Sequence, residues 1–228
     1  MKKKVFYTEC SYAFAMVIMA FAVTFTEKAD FGMSMIVAPA YILHLKMSEL
    51  FPWFTFGVAE YVLQGVLVLI TAAFMKRFKK SYLFSFVTAV LYGTLLDTVM
   101  SLLSFLPDSS FALRALWYIV GTLLGSLAVS LFFHTYISPE AYELIVKELS
   151  VKLNYDINKI KTAYDCFSAA TGVVMSFAFF GFGVFEGIKW GTVICALVNG
   201  FLISRFTVLL EKKFEFKNRF DLEKYFSV

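Results

Sequence analysis

The sequence predicts an all-α polytopic membrane protein with six transmembrane helices, and three observations support this class. The 228-residue chain is 60% hydrophobic and only 17% charged, whereas a soluble domain carries about 25% charged residues. Its mean hydropathy is +0.73. Six apolar stretches each approach the length of about 20 residues that one helix needs to cross a bilayer. A water-soluble fold of this size could not bury so much apolar surface, so soluble classes are excluded and the lipid bilayer is the first expected partner.

The predicted spans follow one another along the chain with short connections between most of them. They cover residues 8–26, 57–75, 82–106, 111–133, 162–182 and 190–210. Each is close to the length that a bilayer requires. The whole chain, 1–228, is therefore expected to be a single membrane domain, and residues 211–228 are expected to be a cytoplasmic tail.

Lysine and arginine are distributed unequally between the two sides of the predicted bundle. Basic clusters precede the first span, separate the second from the third and the fourth from the fifth, and follow the sixth. Six spans place all these clusters on one side, while the opposite loops carry only Lys28, Lys46 and Lys189. Because positively charged loops stay in the cytoplasm, both termini are expected to be cytoplasmic, in a bacterial inner membrane. The net charge of +4 is thus a topology signal, and no nucleic-acid partner is expected.

Two further segments are too short to span a membrane. Segment 34–46 is apolar and is interrupted by Pro39, so we expect an interfacial or re-entrant helix after the first span. Segment 139–153 is amphipathic, and Ser138 and Pro139 suit its N-cap and first helical position. Its apolar stripe consists of Tyr142, Ile145, Val146, Leu149 and Leu153. We expect this second short helix to lie flat on the cytoplasmic surface.

The order and spacing of these features indicate that one unit occurs twice, in residues 8–106 and 111–210. Small residues recur every four positions in the third and sixth spans, which is typical of helix-packing seams that also border cavities. The matched positions, at a constant offset, are Ser85 and Thr192, Ala89 and Ala196, Gly93 and Gly200, and Asp97 and Ser204. Glu60 and Asp165 also occupy comparable places in the two halves. Because each unit has three spans, the second unit starts on the opposite side of the membrane from the first. The sequence therefore predicts an inverted 3+3 repeat, a feature of many secondary transporters.

A family resemblance rests on the runs DFGMSMIVAPAYIL, FTFGVAEYVLQG and YGTLLD. These runs resemble those of the bacterial YczE/YyaS/YitT-type membrane proteins, and the resemblance covers about residues 13–205. The longer YitT-type members carry a soluble C-terminal domain, so this chain is more similar to the shorter, YczE-like form. The resemblance implies a bacterial inner-membrane protein of poorly known function, and it supplies no catalytic residues.

Candidate substrate-binding residues are polar side chains in or near the spans, because charge there is costly unless it faces the bundle interior or water. They are Asp97, Glu60, Gln64, Asn199, Arg114 and Ser204. Asp97 is either a solute- or proton-binding carboxylate or a structural carboxylate with a buried partner. Glu60 and Gln64 share one helix face and either bind a polar ligand or, for Glu60, contact lipid headgroups. Arg114 is expected to pair with Glu60 or Asp97, or to extend to the surface.

Metal and enzyme chemistry are not indicated. The three cysteines, Cys10, Cys166 and Cys195, are far apart, and His44 and His134 have no metal-ligand spacing. The chain contains no HExxH, GxSxG or GxxxxGK[ST] motif. We therefore expect no metal, no cofactor, no catalytic residue and no ATP site.

The expected function is a secondary transporter or permease for a small polar solute, coupled to protons, to sodium or to a partner. Two alternatives stay open. The first is a substrate-binding membrane subunit, similar to the vitamin-binding components of energy-coupling-factor transporters, which would dock through the alanine face of the first span. The second is a non-transporting accessory or scaffold protein. The chain could assemble with such transporter partner subunits or with a second copy of itself as a homodimer.

Overall fold

A computed structural model describes residues 3–137 and 140–220, and in this part of the chain it contains eight helices and two short strands. The helices are α1 (Thr8–Ala29), α2 (Ala38–Ser48), α3 (Phe56–Met75), α4 (Lys80–Leu102), α5 (Phe111–Phe132), α6 (Ala141–Leu153), α7 (Ile157–Phe180) and α8 (Trp190–Lys213). All except α2 and α6 are long and apolar enough to cross a membrane, which makes six membrane-length helices. The six predicted spans are thus confirmed, although α7 begins earlier than expected and includes Lys161.

The two ends of the described chain meet in a small parallel sheet that the sequence did not predict. Strand β1 (Lys4–Tyr7) pairs with strand β2 (Phe214–Lys217), which directly follows α8. The carboxylate of Glu9 accepts hydrogen bonds from the backbone N–H of Arg219. The segment expected to be a cytoplasmic tail, 211–228, therefore begins with the end of α8 and with β2. Residues 221–228 lie outside the described residues. The start of α1 and the end of α8 lie at the same end of the bundle.

Helices α1 and α5 pack along their length because small residues face each other. Ala22 of α1 lies against Gly121 and Gly125 of α5. Near the other end of the pair, Ser11 Oγ donates a 2.8 Å hydrogen bond to the carbonyl oxygen of Leu131. The alanine face of the first span consists of Ala13, Ala15, Ala20 and Ala22. Ala15, Ala20 and Ala22 are buried inside the chain, and Ala13 is exposed.

Helices α3 and α4 pack closely, whereas α7 and α8 make almost no contact. The α3–α4 seam requires glycine, because a Cβ added at Gly57 would lie only 2.0 Å from the carbonyl oxygen of Gly93. On α8, by contrast, the only buried residues are Gly191 and Thr192. A Cβ added at Gly200 would meet no atom within 4 Å. The space beside α8 is therefore open.

Helix α6 runs beside α3 in the same direction. At its start, the backbone N–H of Ala141 donates a 3.1 Å hydrogen bond to Gln64 Oε1. At its end, Lys152 Nζ donates to the carbonyl oxygen of Phe74. These two positions on α3 are ten residues apart, about 15 Å along a helix, which is close to the length of α6 itself.

The expectation that segment 139–153 lies flat on a surface is wrong. Its helix packs against α3, α4 and α7, and the buried face differs from the predicted stripe. Leu153, which belongs to the predicted stripe, is 52% exposed, whereas Glu148 is only 1% exposed. Glu148 can be buried because Arg77 and Lys79 form ion pairs with its carboxylate. The predicted N-cap and first helical position, Ser138 and Pro139, lie outside the described residues.

Helix α2 has a similar place beside α7. Ser168 Oγ donates a 2.9 Å hydrogen bond to the carbonyl oxygen of Met35, just before α2. Near the end of α2, Lys46 Nζ lies 5.8 Å from the ring centroid of Phe180. Pro39 lies in the first turn of α2, where a missing backbone N–H costs nothing. The proline therefore begins this helix and does not interrupt it.

Candidate functional site

A cavity of about 410 Å³ lies between α1, α5 and α8 on one side and α6, α7 and the segment before α2 on the other. This volume is within the range of about 300–1,000 Å³ that is usual for small-molecule sites. Much of its wall is apolar and includes Met19, Val23, Val129 and Ile203. Tyrosine side chains add an amphipathic lining, with Tyr92, Tyr118 and Tyr142.

Charged side chains from α6 and α7 form one part of the cavity wall. Glu140 and Glu143 come from the start of α6, and Lys161 and Asp165 come from the first turns of α7. Lys161 Nζ lies 3.6 Å from Asp165 Oδ1, so one carboxylate has a nearby counter-charge. We call the three carboxylates Glu140, Glu143 and Asp165 the acidic cluster.

Of these four residues, the sequence-based prediction names only Asp165, as the counterpart of Glu60. Glu140 and Glu143 lie off the apolar stripe predicted for segment 139–153, and periodicity shows that two faces differ but not which one is buried. Lys161 directly precedes the fifth predicted span. The i, i+4 spacing of Lys161 and Asp165 was the one available signal that both belong to a single helix face.

Behind the acidic cluster, Glu60 and Gln64 belong to a buried hydrogen-bond network that links α3 to α6. Gln64 Nε2 donates to Glu60 Oε2 and to Glu140 Oε2, both at 3.2 Å. The hydroxyl of Tyr142 also donates to Glu60 Oε2, at 2.9 Å. Glu60 and Gln64 are both 0% exposed. Glu60 is therefore an interior carboxyl, not an acid at the headgroup level.

Several polar atoms of this region have no hydrogen-bond partner among the described residues. They include Glu60 Oε1, Glu140 Oε1 and the hydroxyl of Tyr92, a residue that is only 1% exposed. Burial raises the pKa of Glu140 well above its usual range, and the neighbouring carboxylates of Glu143 and Glu60 raise it further. Burial also raises the pKa of Glu143. Because buried polar groups are normally paired, the site has spare capacity to bind a ligand.

Asp97 does not line the cavity. Its carboxylate accepts hydrogen bonds from Thr55 Oγ1 and, at 2.8 Å, from the backbone N–H of Gly57. These groups lie at the N-terminus of α3, where a negative charge is favourable. Of the two interpretations of Asp97, its contacts favour the structural carboxylate.

Arg114 differs from expectation, since its carboxylate partner is Asp30 and not Glu60 or Asp97. Arg114 donates to Asp30 Oδ2 at 3.0 Å and to the carbonyl oxygen of Ala29 at 2.7 Å. Asp30 directly follows α1 in a left-handed conformation, which turns the chain toward α5. Glu60 is buried inside the bundle and is not among the partners of Arg114.

Asp30 is also the centre of a group of contacts that joins the ends of α1, α5 and α8. Lys189 Nζ donates to Asp30 Oδ1. Next to it, the ring of Phe31 contacts that of Trp190 in a tilted arrangement, with centroids 4.4 Å apart. We call the contacts among Asp30, Phe31, Arg114, Tyr118, Lys189 and Trp190 the Asp30 cluster. It lies at the end of the bundle where α1 finishes and α8 begins.

The two small-residue stripes have different surroundings. On α4, Ser85 and Ala89 are 0% exposed and Gly93 packs against α3, so this stripe is a helix-packing seam. On α8, Thr192 Oγ1 donates to the carbonyl oxygen of Met33 at 2.7 Å. Below it, Ala196, Asn199 and Gly200 line the cavity, with Asn199 Oδ1 lying 2.7 Å from Ser126 Oγ. Ser204 is exposed and is not part of the cavity wall.

Comparison with known proteins gives one match. No curated protein and no solved structure matches the chain. One family model, described as "Family of unknown function (DUF6198)", matches residues 6–208, which include the cavity and nearly all of the helical bundle. The chain therefore belongs to this family of unknown function, DUF6198.

Proposed function

We propose that this chain is a secondary transporter or permease that moves a small polar solute through its central cavity. The observation that carries the proposal is a cavity of about 410 Å³ among membrane-length helices, with charged side chains in its wall. Ionisable groups inside a membrane bundle usually mark a solute or ion pathway. In the absence of an ATP-binding motif, a proton or sodium gradient would supply the energy.

We infer that α1–α4 and α5–α8 form an inverted repeat, and the contacts between helices support this inference. The two short helices exchange places, since α2 lies beside α7 while α6 lies beside α3. Likewise α1 packs on α4 as α5 packs on α8. The contact of Lys46 with the ring of Phe180 has a counterpart in Lys152, whose Nζ lies 3.9 Å from the ring centroid of Phe74. Such an exchange is what a pseudo-two-fold axis in the membrane plane would produce, and under this proposal α2 and α6 are re-entrant helices.

The asymmetry between the halves suggests which side the cavity faces. Helices α7 and α8 are joined by segment 181–189, so they separate toward their opposite ends, where Lys161 and Ile203 line the cavity. The helices on that side are flanked by the basic clusters of the sequence, which favours the cytoplasm. We infer an inward-facing arrangement in a bacterial inner membrane, with both termini cytoplasmic. Reporter fusions at the two termini test this orientation.

The transport experiment uses proteoliposomes on a solid-supported membrane, challenged with amines, amino acids, sugars and organic acids at several pH values. A Gly200→Phe variant fills the cavity, because open space surrounds this position. The matched control is Leu197→Phe on the same helix, where the side chain is 78% exposed and does not line the cavity. We expect a solute-dependent current in the wild type and in Leu197→Phe, and loss of that current in Gly200→Phe.

The same panel is tested by thermal unfolding of the purified protein. A solute at 100 times its dissociation constant stabilises a folded protein by about 2.7 kcal/mol. If no solute produces a current or raises the unfolding midpoint, the transport proposal is wrong and a non-transporting accessory role replaces it. The subunit alternative is less favoured, because Ala15, Ala20 and Ala22 of the alanine face that would dock a partner are buried inside the chain.

A further inference from the structure

We propose that the cavity binds a small organic cation, whose primary ammonium group is held by the acidic cluster of Glu140, Glu143 and Asp165. This inference rests on the proposed function and names the solute class for it. The supporting observations are the excess of hydrogen-bond acceptors in the wall, a deeply buried pair of unpartnered groups beside it, and the spacing of the carboxylates.

The first observation is the balance of charge and hydrogen-bonding groups. Three carboxylates line the cavity, and Lys161 is the one basic residue among the described residues of its wall. Lys161 lies near Asp165, which leaves Glu140 and Glu143 without a basic partner at ion-pair distance within the described chain. Glu140 Oε1 also has no hydrogen-bond donor there. Burial raises the pKa of both carboxyls, and a bound cation opposes this effect because it favours their ionised form. An ionised carboxylate only accepts hydrogen bonds, so the complementary ligand is a cation with several N–H donors.

The second observation is the unmet polar capacity directly behind the cluster. Tyr92 lines the cavity and is 1% exposed, and its hydroxyl has no partner among the described residues. Glu60 is 0% exposed, and its Oε1 is likewise unpartnered. Leaving such a buried polar group unsatisfied destabilises the folded protein. A ligand that enters the cavity and reorganises the network of Glu60, Gln64 and Glu140 would recover part of this cost.

The third observation distinguishes an organic ammonium from a bare metal ion. Within residues 3–137 and 140–220, no group of three or more His, Cys, Asp or Glu side chains is arranged to hold a metal. The three carboxylates are therefore not arranged as the ligand set of a bare metal ion. An ammonium on a carbon body fits this arrangement better, because tyrosine faces attract cations and the remaining wall is apolar.

The test measures binding to the purified full-length protein by calorimetry and thermal unfolding, with three probes of similar shape. Phenethylammonium is the cationic probe, phenethyl alcohol the neutral one and 3-phenylpropionate the anionic one. We expect phenethylammonium to bind at least tenfold more tightly than the other two. Equal binding of the alcohol, or tighter binding of the carboxylate, would overturn the proposal.

Variants connect the binding to the cluster. Glu140→Gln and Asp165→Asn each remove one charge with little change in shape, and each is expected to weaken phenethylammonium binding at least tenfold. Glu49→Gln is the control, because Glu49 is an exposed acid in a surface ion pair and does not line the cavity. Unchanged binding in both cavity variants would contradict the proposed site, and two positions guard against one variant failing to fold.

Two sources could present the ammonium group, a soluble amine or an aminolipid headgroup. Nanodiscs of phosphatidylcholine, with and without phosphatidylethanolamine, separate these sources. If phosphatidylethanolamine weakens the binding of phenethylammonium, the site is assigned to a lipid headgroup. If it leaves that binding unchanged, the site is assigned to a soluble amine. Selective ammonium binding without current in proteoliposomes would support this site and refute transport. A current carried only by sugars or anions would support transport and refute the cation site.

Discussion

Gly93 and Gly200 occupy matched positions in the two small-residue stripes, yet their surroundings make opposite demands. A Cβ on Gly93 would lie 2.5 Å from the carbonyl oxygen of Gly57, so α4 would have to move away from α3. We expect Gly93→Ala to lower the free energy of unfolding by about 1–3 kcal/mol, the usual effect of overpacking. Gly200→Ala meets no neighbour and should stay within about 0.5 kcal/mol of the wild type. Chemical denaturation in detergent measures both values.

The comparison of these two alanine variants also tests the open seam between α7 and α8. A large destabilisation by Gly200→Ala would mean that α7 and α8 pack closely in solution, against the structure. A small effect of Gly93→Ala would mean that the α3–α4 seam is looser than its geometry indicates.

Asp97 can be tested separately from the cavity. Its hydrogen bonds to Thr55 and Gly57 tie α4 to the first turn of α3, and hydrogen bonds to charged groups contribute about 1.5–3 kcal/mol. We expect Asp97→Asn to lower the free energy of unfolding by about that amount, with the affinity for any cavity ligand unchanged. Asp108→Asn, at an exposed loop position, is the control. Loss of ligand affinity in a stably folded Asp97→Asn protein would restore Asp97 to the binding site.

Helix α6 is held at its C-terminal part by one buried carboxylate. Burial by itself raises the pKa of Glu148, but the hydrogen bonds from Lys79 and Arg77 outweigh it and leave the pKa below its ordinary value of 4.5. A carboxyl whose pKa is lowered by folding stabilises the folded state above the unfolded-state pKa. That contribution is lost as the pH falls through the folded-state value.

We therefore expect Glu148→Gln to cost about 1–3 kcal/mol of unfolding free energy at pH 7, and the difference from the wild type to shrink below about pH 4.5. Denaturation of both proteins between pH 7 and pH 3 measures this convergence. Glu49→Gln, in an exposed pair, should show neither effect. A cost that stays constant down to pH 3 would show that Glu148 acts through packing and not through its charge.

Length and hydropathy were enough to predict the six membrane-length helices, because a bilayer imposes one minimum length on every span. They were not enough for α6, whose apolar stripe was assigned correctly as helical but with the wrong buried face. Glu148 is buried because its partners, Arg77 and Lys79, come from the loop after α3, and such long-range pairs leave no periodic pattern in the sequence. The acidic cluster was missed for the same reason, since Glu140 and Glu143 meet Asp165 only after α6 packs against α7.

At the level of the whole molecule, the two ends of the bundle are held together to different degrees. The Asp30 cluster combines ion pairs and tilted ring contacts with a neighbouring backbone hydrogen bond of 2.8 Å, from Gly191 N–H to the carbonyl oxygen of Phe31. At the other end, α7 and α8 stand apart. In a transporter with inverted repeats, the opposite state would close the second seam and open the first. In that transition, the ion pairs and ring contacts of the Asp30 cluster would have to break.

We expect Asp30→Asn to weaken the Asp30 cluster. Asparagine tolerates the left-handed backbone of this position, so the substitution removes mainly the charge shared by Arg114 and Lys189. With that attraction gone, the outward-open state should gain population. A cysteine placed in the cavity by Ala196→Cys, with the three native cysteines replaced by serine, should react several times faster with a membrane-impermeant maleimide applied outside intact cells.

Asp108→Asn in the same cysteine background is the control, because this exposed loop residue removes an equal charge without touching the Asp30 cluster. Its labelling rate should match the unmodified background. If Asp30→Asn also leaves the rate unchanged, the cluster is a static scaffold and the cavity does not alternate between its two ends. A faster reaction in Asp30→Asn alone links the ion pairs to access from outside, which a purely structural role of Asp30 would not produce.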